Sequence, residues 1–157
     1  SKEKIQMSFK LSNKSLSRLT KVHPDLVRVV QKAIELSTTD FSVTEGERTV
    51  AQQQANVKKG VSQTMKSKHL VQEDGFVHAV DLVPYPVNWD LNAFYPIALA
   101  MQQAAEALNV NIRWGGCWAK LNGDKRSPMR MVKDYSDARR MVGNKVFIDA
   151  PHFEIIK

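Results

Sequence analysis

The chain has 157 residues, 43% of them hydrophobic and 25% charged, the size and make-up of one ordinary domain that can bury a core without disulfides or a structural metal. No apolar run approaches the roughly 18 residues of a membrane span, and the single cysteine, Cys117, has no internal partner for a disulfide. Lys and Arg number 23 against 16 Asp and Glu, a net charge of +7, which favours polyanionic partners such as nucleic acid, anionic lipid or a bacterial envelope. The cations are dispersed along the chain, which speaks against a dedicated nucleic-acid arm.

The N-terminal SKEKIQMSFK is cationic with no apolar stretch behind it, so no secretory signal is expected. Residues 1–6 read as an extension or cloning remnant ahead of a natural start at Met7, and 7–157 as one domain. Residues 24–36 begin with a proline suited to a first helical turn, and Leu26, Val29, Val30, Ala33 and Ile34 repeat at helical spacing. FSVTEG (41–46) alternates Phe41 and Val43 and predicts a strand. RTVAQQQANVKKG (48–60) predicts a helix, polar on most faces and closed by Gly60. A polar loop leads to HAVDLVPY, a strand stopped by Pro84 and Pro86.

Between Asn88 and Leu108, the residues Phe94, Ile97, Ala98, Met101, Ala105 and Leu108 form one apolar stripe, with Pro96 in the first turn or at a kink. NVNIRWGG (109–116) predicts a short strand running into a glycine turn. Residues 119–145 read as basic and irregular, with a helix around Tyr135–Met141. FIDAPHFEII (147–156) reads as a bent strand pair around Pro151. This order of elements predicts α+β architecture in a single domain.

Chemistry concentrates in two segments. In SKHLVQEDGFVHAVDLVPY (67–85), His69 precedes Asp81 by twelve positions and His78 precedes it by three. Strand alternation puts Ala79, Asp81 and Val83 on one face, and His78 on the other with Val80 and Leu82. Near the C-terminus the same period sets His152 and Glu154 opposite Phe153 and Ile155. A carboxylate inside an apolar strand is costly unless its charge is paired or bound to a metal. Periodicity leaves both readings open: Asp81 caps a helix or pairs with an arginine and His152 is an ordinary half-buried histidine, or the two hold a metal with a further histidine. Asp149, three residues before His152, favours the metal, because a carboxylate beside a metal-activated water can act as general base. His23, ahead of Pro24, reads as a surface residue.

SKH, AVD and DAPHFE in that order resemble the zinc peptidases that contain the phage endolysin L-alanyl-D-glutamate peptidases and the D-alanyl-D-alanine peptidases of vancomycin resistance. The resemblance to the endolysin branch extends through MSFKLS (7–12), the helix at 24–36, GERTVAQQ (46–53) and RWGGCW (113–118). It implies a small antiparallel sheet that carries a zinc site and packs against helices. It also implies His69, Asp81 and His152 as zinc ligands, Asp149 as general base and proton shuttle, and Arg48 as the cation that polarises the scissile carbonyl. Ser67 would order the ligand loop or touch substrate. For Arg48, a salt bridge to Glu45 or Glu47 is the alternative reading.

Two departures stand out. The family's gap from the first histidine to the aspartate is typically shorter, so VQEDGFV (71–77) reads as a loop insertion, tolerable because closure entropy grows slowly with length. The Ser-x-His context then selects His69 over His78. Cys117 replaces a common acidic residue and reads as a buried inert thiol rather than a fourth, soft ligand.

The implied function is zinc-dependent cleavage of the peptidoglycan stem at the L-alanyl-D-glutamate bond during phage-induced lysis. The partner would be bacterial peptidoglycan, the enzyme a monomer that waits in the host cytoplasm before acting on the periplasmic wall, with no appended wall-binding domain. A D-alanyl-D-alanine carboxypeptidase or dipeptidase of the same fold is one alternative, and a non-enzymatic basic nucleic-acid-binding protein another.

The charge yields a test. If the +7 net charge draws the enzyme to an anionic wall, lysis of whole walls should fall as salt shortens the attraction to about 8 Å at physiological ionic strength. Hydrolysis of a small soluble muropeptide at constant zinc content should change much less. Equal salt sensitivity in the two assays would contradict wall targeting by charge.

Overall fold

The structure is a computed structural model that describes residues 8–60 and 66–157; the expected extension at 1–6, Met7 and part of the polar loop after Gly60 lie outside the described residues. The elements run α1 (Asn13–Ser17), α2 (Pro24–Leu36), β1 (Phe41–Glu45), α3 (Val50–Lys58), β2 (Ala79–Pro84), α4 (Tyr95–Leu108), β3 (Ile112–Trp114), β4 (Ala119–Lys120), α5 (Pro128–Met141) and β5 (His152–Ile155), with a 3-10 turn at Leu91–Phe94 before α4.

The strands form one antiparallel sheet in the order β1-β2-β5-β3-β4. Its chain order differs from its spatial order: the C-terminal strand β5 sits in the middle, paired to β2 on one side and β3 on the other. The register sorts side chains by face. Val80 lies opposite Phe153, and Trp114 opposite Phe153 on the other side, with Ile112 opposite Ile155 and Val43 opposite Leu82. All are buried. They meet α2 and α4, which pack on each other and on this face. The other face carries Asp81 opposite His152, Glu154 opposite Arg113, and Glu45 opposite Asp81 across a bulge in β1. The sheet thus has an apolar face that pays for folding and a polar face free for chemistry.

The helix at 24–36 forms with the expected residues buried, and His23 N-caps it by accepting the Asp25 N–H at Nδ1, 3.1 Å. That role, with contacts to Phe76 and His78, leaves His23 half-buried rather than on the surface. Thr49 and Gln52 make a reciprocal capping box for α3, so the helix begins at Val50, two residues later than the sequence pattern. The long apolar stripe splits: Asp90 caps the 3-10 turn, and the α-helix proper starts at Tyr95 with Pro96 in its first turn.

Two expectations need correction. The helix expected around Tyr135–Met141 begins at Pro128, because Ser127 caps it and Pro128 occupies the first turn. Residues 147–156 hold one strand rather than a bent pair. Asp149–Pro151 form the turn before β5, with the His152 N–H bonded to the Asp149 carbonyl at 3.0 Å. Residues 71–77 close as a small hairpin. Val71 bridges Val77, the Gln72 N–H reaches the Phe76 carbonyl, and Gly75 takes the left-handed conformation at φ 84°.

Trp114 joins the two halves of the sheet. It is fully buried, stacks on Phe153 with centroids 6.2 Å apart, and donates its indole N–H to the Ala150 carbonyl at 2.7 Å. Trp114→Ala should therefore cost about 3–5 kcal/mol, read as a lowered urea midpoint at unchanged slope. A midpoint within experimental error of the parent would contradict this role.

Candidate metal centre

Antiparallel pairing sets Asp81 directly across from His152. The loop before β2 supplies the third group: His69 Nε2 lies 3.1 Å from Asp81 Oδ1, and His152 Nδ1 lies 3.6 Å from the same oxygen. The three side chains offer donor atoms all within 4.8 Å of one another, and among the described residues this is the one such group of His, Cys, Asp and Glu. His69 and His152 are buried and Asp81 is half-buried.

Each imidazole is held by its other nitrogen. His69 Nδ1 donates to the Gly46 carbonyl at 2.8 Å, which leaves Nε2 as a lone pair aimed at Asp81. His152 Nε2 meets Glu154 Oε1 at 2.8 Å, which turns Nδ1 inward, and Arg113 braces Glu154 from 3.1 Å. Two imidazole nitrogens and a carboxylate thus converge where protons or a cation must bridge them. This is the fit expected of a metal site, including the outer hydrogen bonds that fix the ligand tautomers. Two imidazoles and one carboxylate also match the three-ligand set of catalytic zinc, with a position left open.

The electrostatics of the metal-free protein agree. Burial opposes a charge on His152, but contacts with Asp81 and Glu154 and the nearby charge of Asp149 outweigh it and raise its pKa to about 9. Burial likewise opposes ionisation of Asp81, yet the two histidines hold its carboxyl far below the usual range. Asp149 moves the other way, raised by burial and by the charge of Asp81.

The remaining expected residues fall around this centre. Asp149 is half-buried, and Arg48, His69 and His152 all act on its charge. Gly115 makes that placement possible: a Cβ there would lie 2.4 Å from the Asp149 carbonyl oxygen and 3.0 Å from His152 Cβ. Gly46 does the same on the opposite side, where a Cβ would lie 2.1 Å from the Arg18 carbonyl oxygen. Arg48 is half-buried, ion-paired to Glu45 and bonded to Gln53 Oε1 at 2.5 Å, and its own N–H reaches the His69 carbonyl at 2.8 Å. The pairing with Glu45 that the sequence left open is therefore present, at the edge of the centre. Ser67 Oγ accepts the His69 N–H at 3.1 Å, so it orders the ligand loop.

His78 lies elsewhere, with Nε2 2.8 Å from Asp74 Oδ2 and its ring against His23. Cys117 is buried, burial pushes its thiol up, and it stands outside the donor group. Sequence reasoning placed Glu154 on the His152 face but gave it no role. It also missed Trp118, which takes positive φ (55°), lies 5.4 Å from the His152 ring and stacks on Phe147.

A sheet that presents two imidazoles and a carboxylate, with a raised-pKa carboxyl and an arginine beside them, has the make-up of a hydrolytic metal centre. The sequence matches the profile of the phage L-alanyl-D-glutamate peptidases over residues 7–156, and the chain belongs to this family. It is 38% identical over 119 residues to the L-alanyl-D-glutamate peptidase of Escherichia phage T5, covering 71% of this chain and 83% of that protein. Its fold matches the crystal structure of the Serratia marcescens L-Ala D-Glu endopeptidase at a TM-score of 0.70 and 32% identity, over 95% of this chain and 91% of that one.

The raised pKa of His152 makes metal uptake pH-dependent. A metal needs the neutral imidazole, which in the metal-free protein is scarce below about 9. Apparent zinc affinity should therefore rise about tenfold per pH unit from 7 towards 9, measured by competition with a chelator. His69→Ala and His152→Ala should lose the affinity, whereas His78→Ala should keep it. A flat pH profile, or loss in His78→Ala alone, would contradict the assignment.

Proposed function

We propose that the chain is a zinc endopeptidase that hydrolyses the L-alanyl-D-glutamate bond of the peptidoglycan stem and serves phage-induced lysis. The observation that carries this reading is the convergence of His69, Asp81 and His152 on one point in a member of a family of L-alanyl-D-glutamate peptidases. His69, Asp81 and His152 would hold the ion, which when bound supplies Lewis acidity to a water and to the scissile carbonyl.

The protein's own groups then divide the work. Asp149 takes the proton of the attacking water and passes it to the departing amine. Burial and the charge of Asp81 raise its pKa, which strengthens it as the acceptor of that proton. Arg48 faces the charge that develops on the carbonyl oxygen, and its pairing with Glu45 and Gln53 holds the guanidinium in place before substrate arrives. Glu154 and Gly46 keep the imidazoles in their productive tautomers. Ser67 keeps the His69 loop in register. Residues 7–157 act as a single catalytic domain. The substrate is reached across the inner membrane: the enzyme gathers in the host cytoplasm and works on the periplasmic wall as a monomer.

Asp149→Asn should keep its zinc yet lose at least ~100-fold in turnover, and Arg48→Lys should also lose mainly in kcat, because lysine keeps the charge without the planar fork. The assay is digestion of defined muropeptides followed by mass spectrometry, with zinc content measured in parallel. Full turnover by a zinc-replete Asp149→Asn protein would remove Asp149 from the mechanism. Cleavage confined to D-alanyl-D-alanine would overturn the bond assignment.

A further inference from the structure

We propose that the groove beside Arg48 is the subsite for the acidic residue of the substrate, with Arg18 and Lys21 reading its carboxylate; this rests on the peptidase reading above. A cavity of about 710 Å³ opens between the end of α1, the end of β1 and α3; of its lining residues, Glu45 pairs across from Asp81 in the sheet, and Arg48 bonds the His69 carbonyl through its backbone N–H and acts on the charge of Asp149. Gly46, which also lines it, holds His69 through its carbonyl. A substrate whose scissile carbonyl faces Arg48 therefore meets this groove along the Arg48 side chain.

The charge of the lining selects which part of the substrate enters. An L-alanyl-D-glutamate bond has a small neutral residue on its N-terminal side and an acidic residue on its C-terminal side. In the groove, Arg48 and Glu45 neutralise each other. Arg18 spends one N–H on the Val43 carbonyl at 2.9 Å, which pins the guanidinium to the wall. Among the described residues no carboxylate pairs with Arg18 or with the exposed Lys21, whose backbone is fixed by the Val77 N–H at 2.9 Å. Glu47 is the one lining carboxylate without an ion pair among the described residues, and it is exposed. A wall-held guanidinium and an exposed ammonium near a neutral pair complement a carboxylate and offer nothing to an alanine methyl.

The test compares matched L-alanyl-D-glutamyl peptides whose glutamate carboxylate is free or converted to the carboxamide. The zinc-loaded wild type should favour the free acid by about tenfold in kcat/KM, expressed mainly in KM. Arg18→Gln and Lys21→Glu should each bring that preference to within about twofold. Glu47→Gln should enlarge it. Lys21 is exposed, so its charge reversal leaves the fold intact even if the Arg18 variant is unstable. A wild type with no preference, or a preference that survives Lys21→Glu, overturns the subsite. If neither peptide is cleaved, the peptidase reading fails on its own. Calorimetric binding of the same two peptides then decides the groove: acid-selective binding lost in Lys21→Glu supports it, and equal binding of acid and amide refutes it.

Discussion

The antiparallel register between β2 and β5 is the constraint on which the rest of the molecule depends, because it puts Asp81 directly across from His152. Side chains alternate along a strand, so a slip of β5 by one residue against β2 would send His152 into the helix-packed face, away from Asp81, and bring Phe153 out. The register is held from both sides. On the apolar face Trp114, Phe153, Val80 and Ile155 are buried against α2 and α4, and that slip would expose Phe153 and Ile155. On the polar face, Glu154 must lie where it can receive both His152 and Arg113. Packing energy on one side of the sheet thereby fixes ligand geometry on the other.

Two glycines let loops approach this sheet closely enough to complete the centre. Gly46 brings its carbonyl to His69 with the α1 end packed against its Cα, and Gly115 lets the turn at Asp149 fold down beside His152. Both positions lack room for a methyl group, so the reason for glycine is contact rather than backbone freedom. The opposite pKa shifts follow from the same crowding. Asp81 lies between two imidazoles and stays ionised, while Asp149 is buried near the charge of Asp81 and holds its proton more tightly. One carboxylate is thereby suited to hold a cation and the other to move a proton.

The twelve-residue spacing between His69 and Asp81 is compatible with the centre because the chain between them closes on itself. The bridge from Val71 to Val77 returns the chain to its starting point, and Val77 then pairs beside Val22. His78 leaves the hairpin on the opposite face from Asp81 and joins Asp74 and His23, a cluster that ties the hairpin to the start of α2. The spacing of twelve is therefore a local detour, and the ligand loop itself is set by Ser67 and Gly46.

The amphipathic helix at 24–36, the strands at 41–45 and 79–84 and the histidine and aspartate candidates were legible in the sequence, because each is written in local period or in a short motif. The limits of α5 were also written locally, in Ser127 and Pro128, but the charge of the segment obscured them. The His152–Glu154 alternation could be read as a shared face, yet not as a bond, since its value depends on Arg113 arriving from β3, 41 positions away in sequence. What the tertiary structure alone decided is the convergence. His69 comes from a loop, Asp81 from β2, Asp149 from a turn and His152 from a strand that enters the middle of the sheet last in the chain. Their meeting depends on long-range strand pairing and on apolar packing behind it, and neither has a local signature. The sequence by itself determined which side chains had to be accounted for; the pairing of β5 between β2 and β3 determined that they share one site.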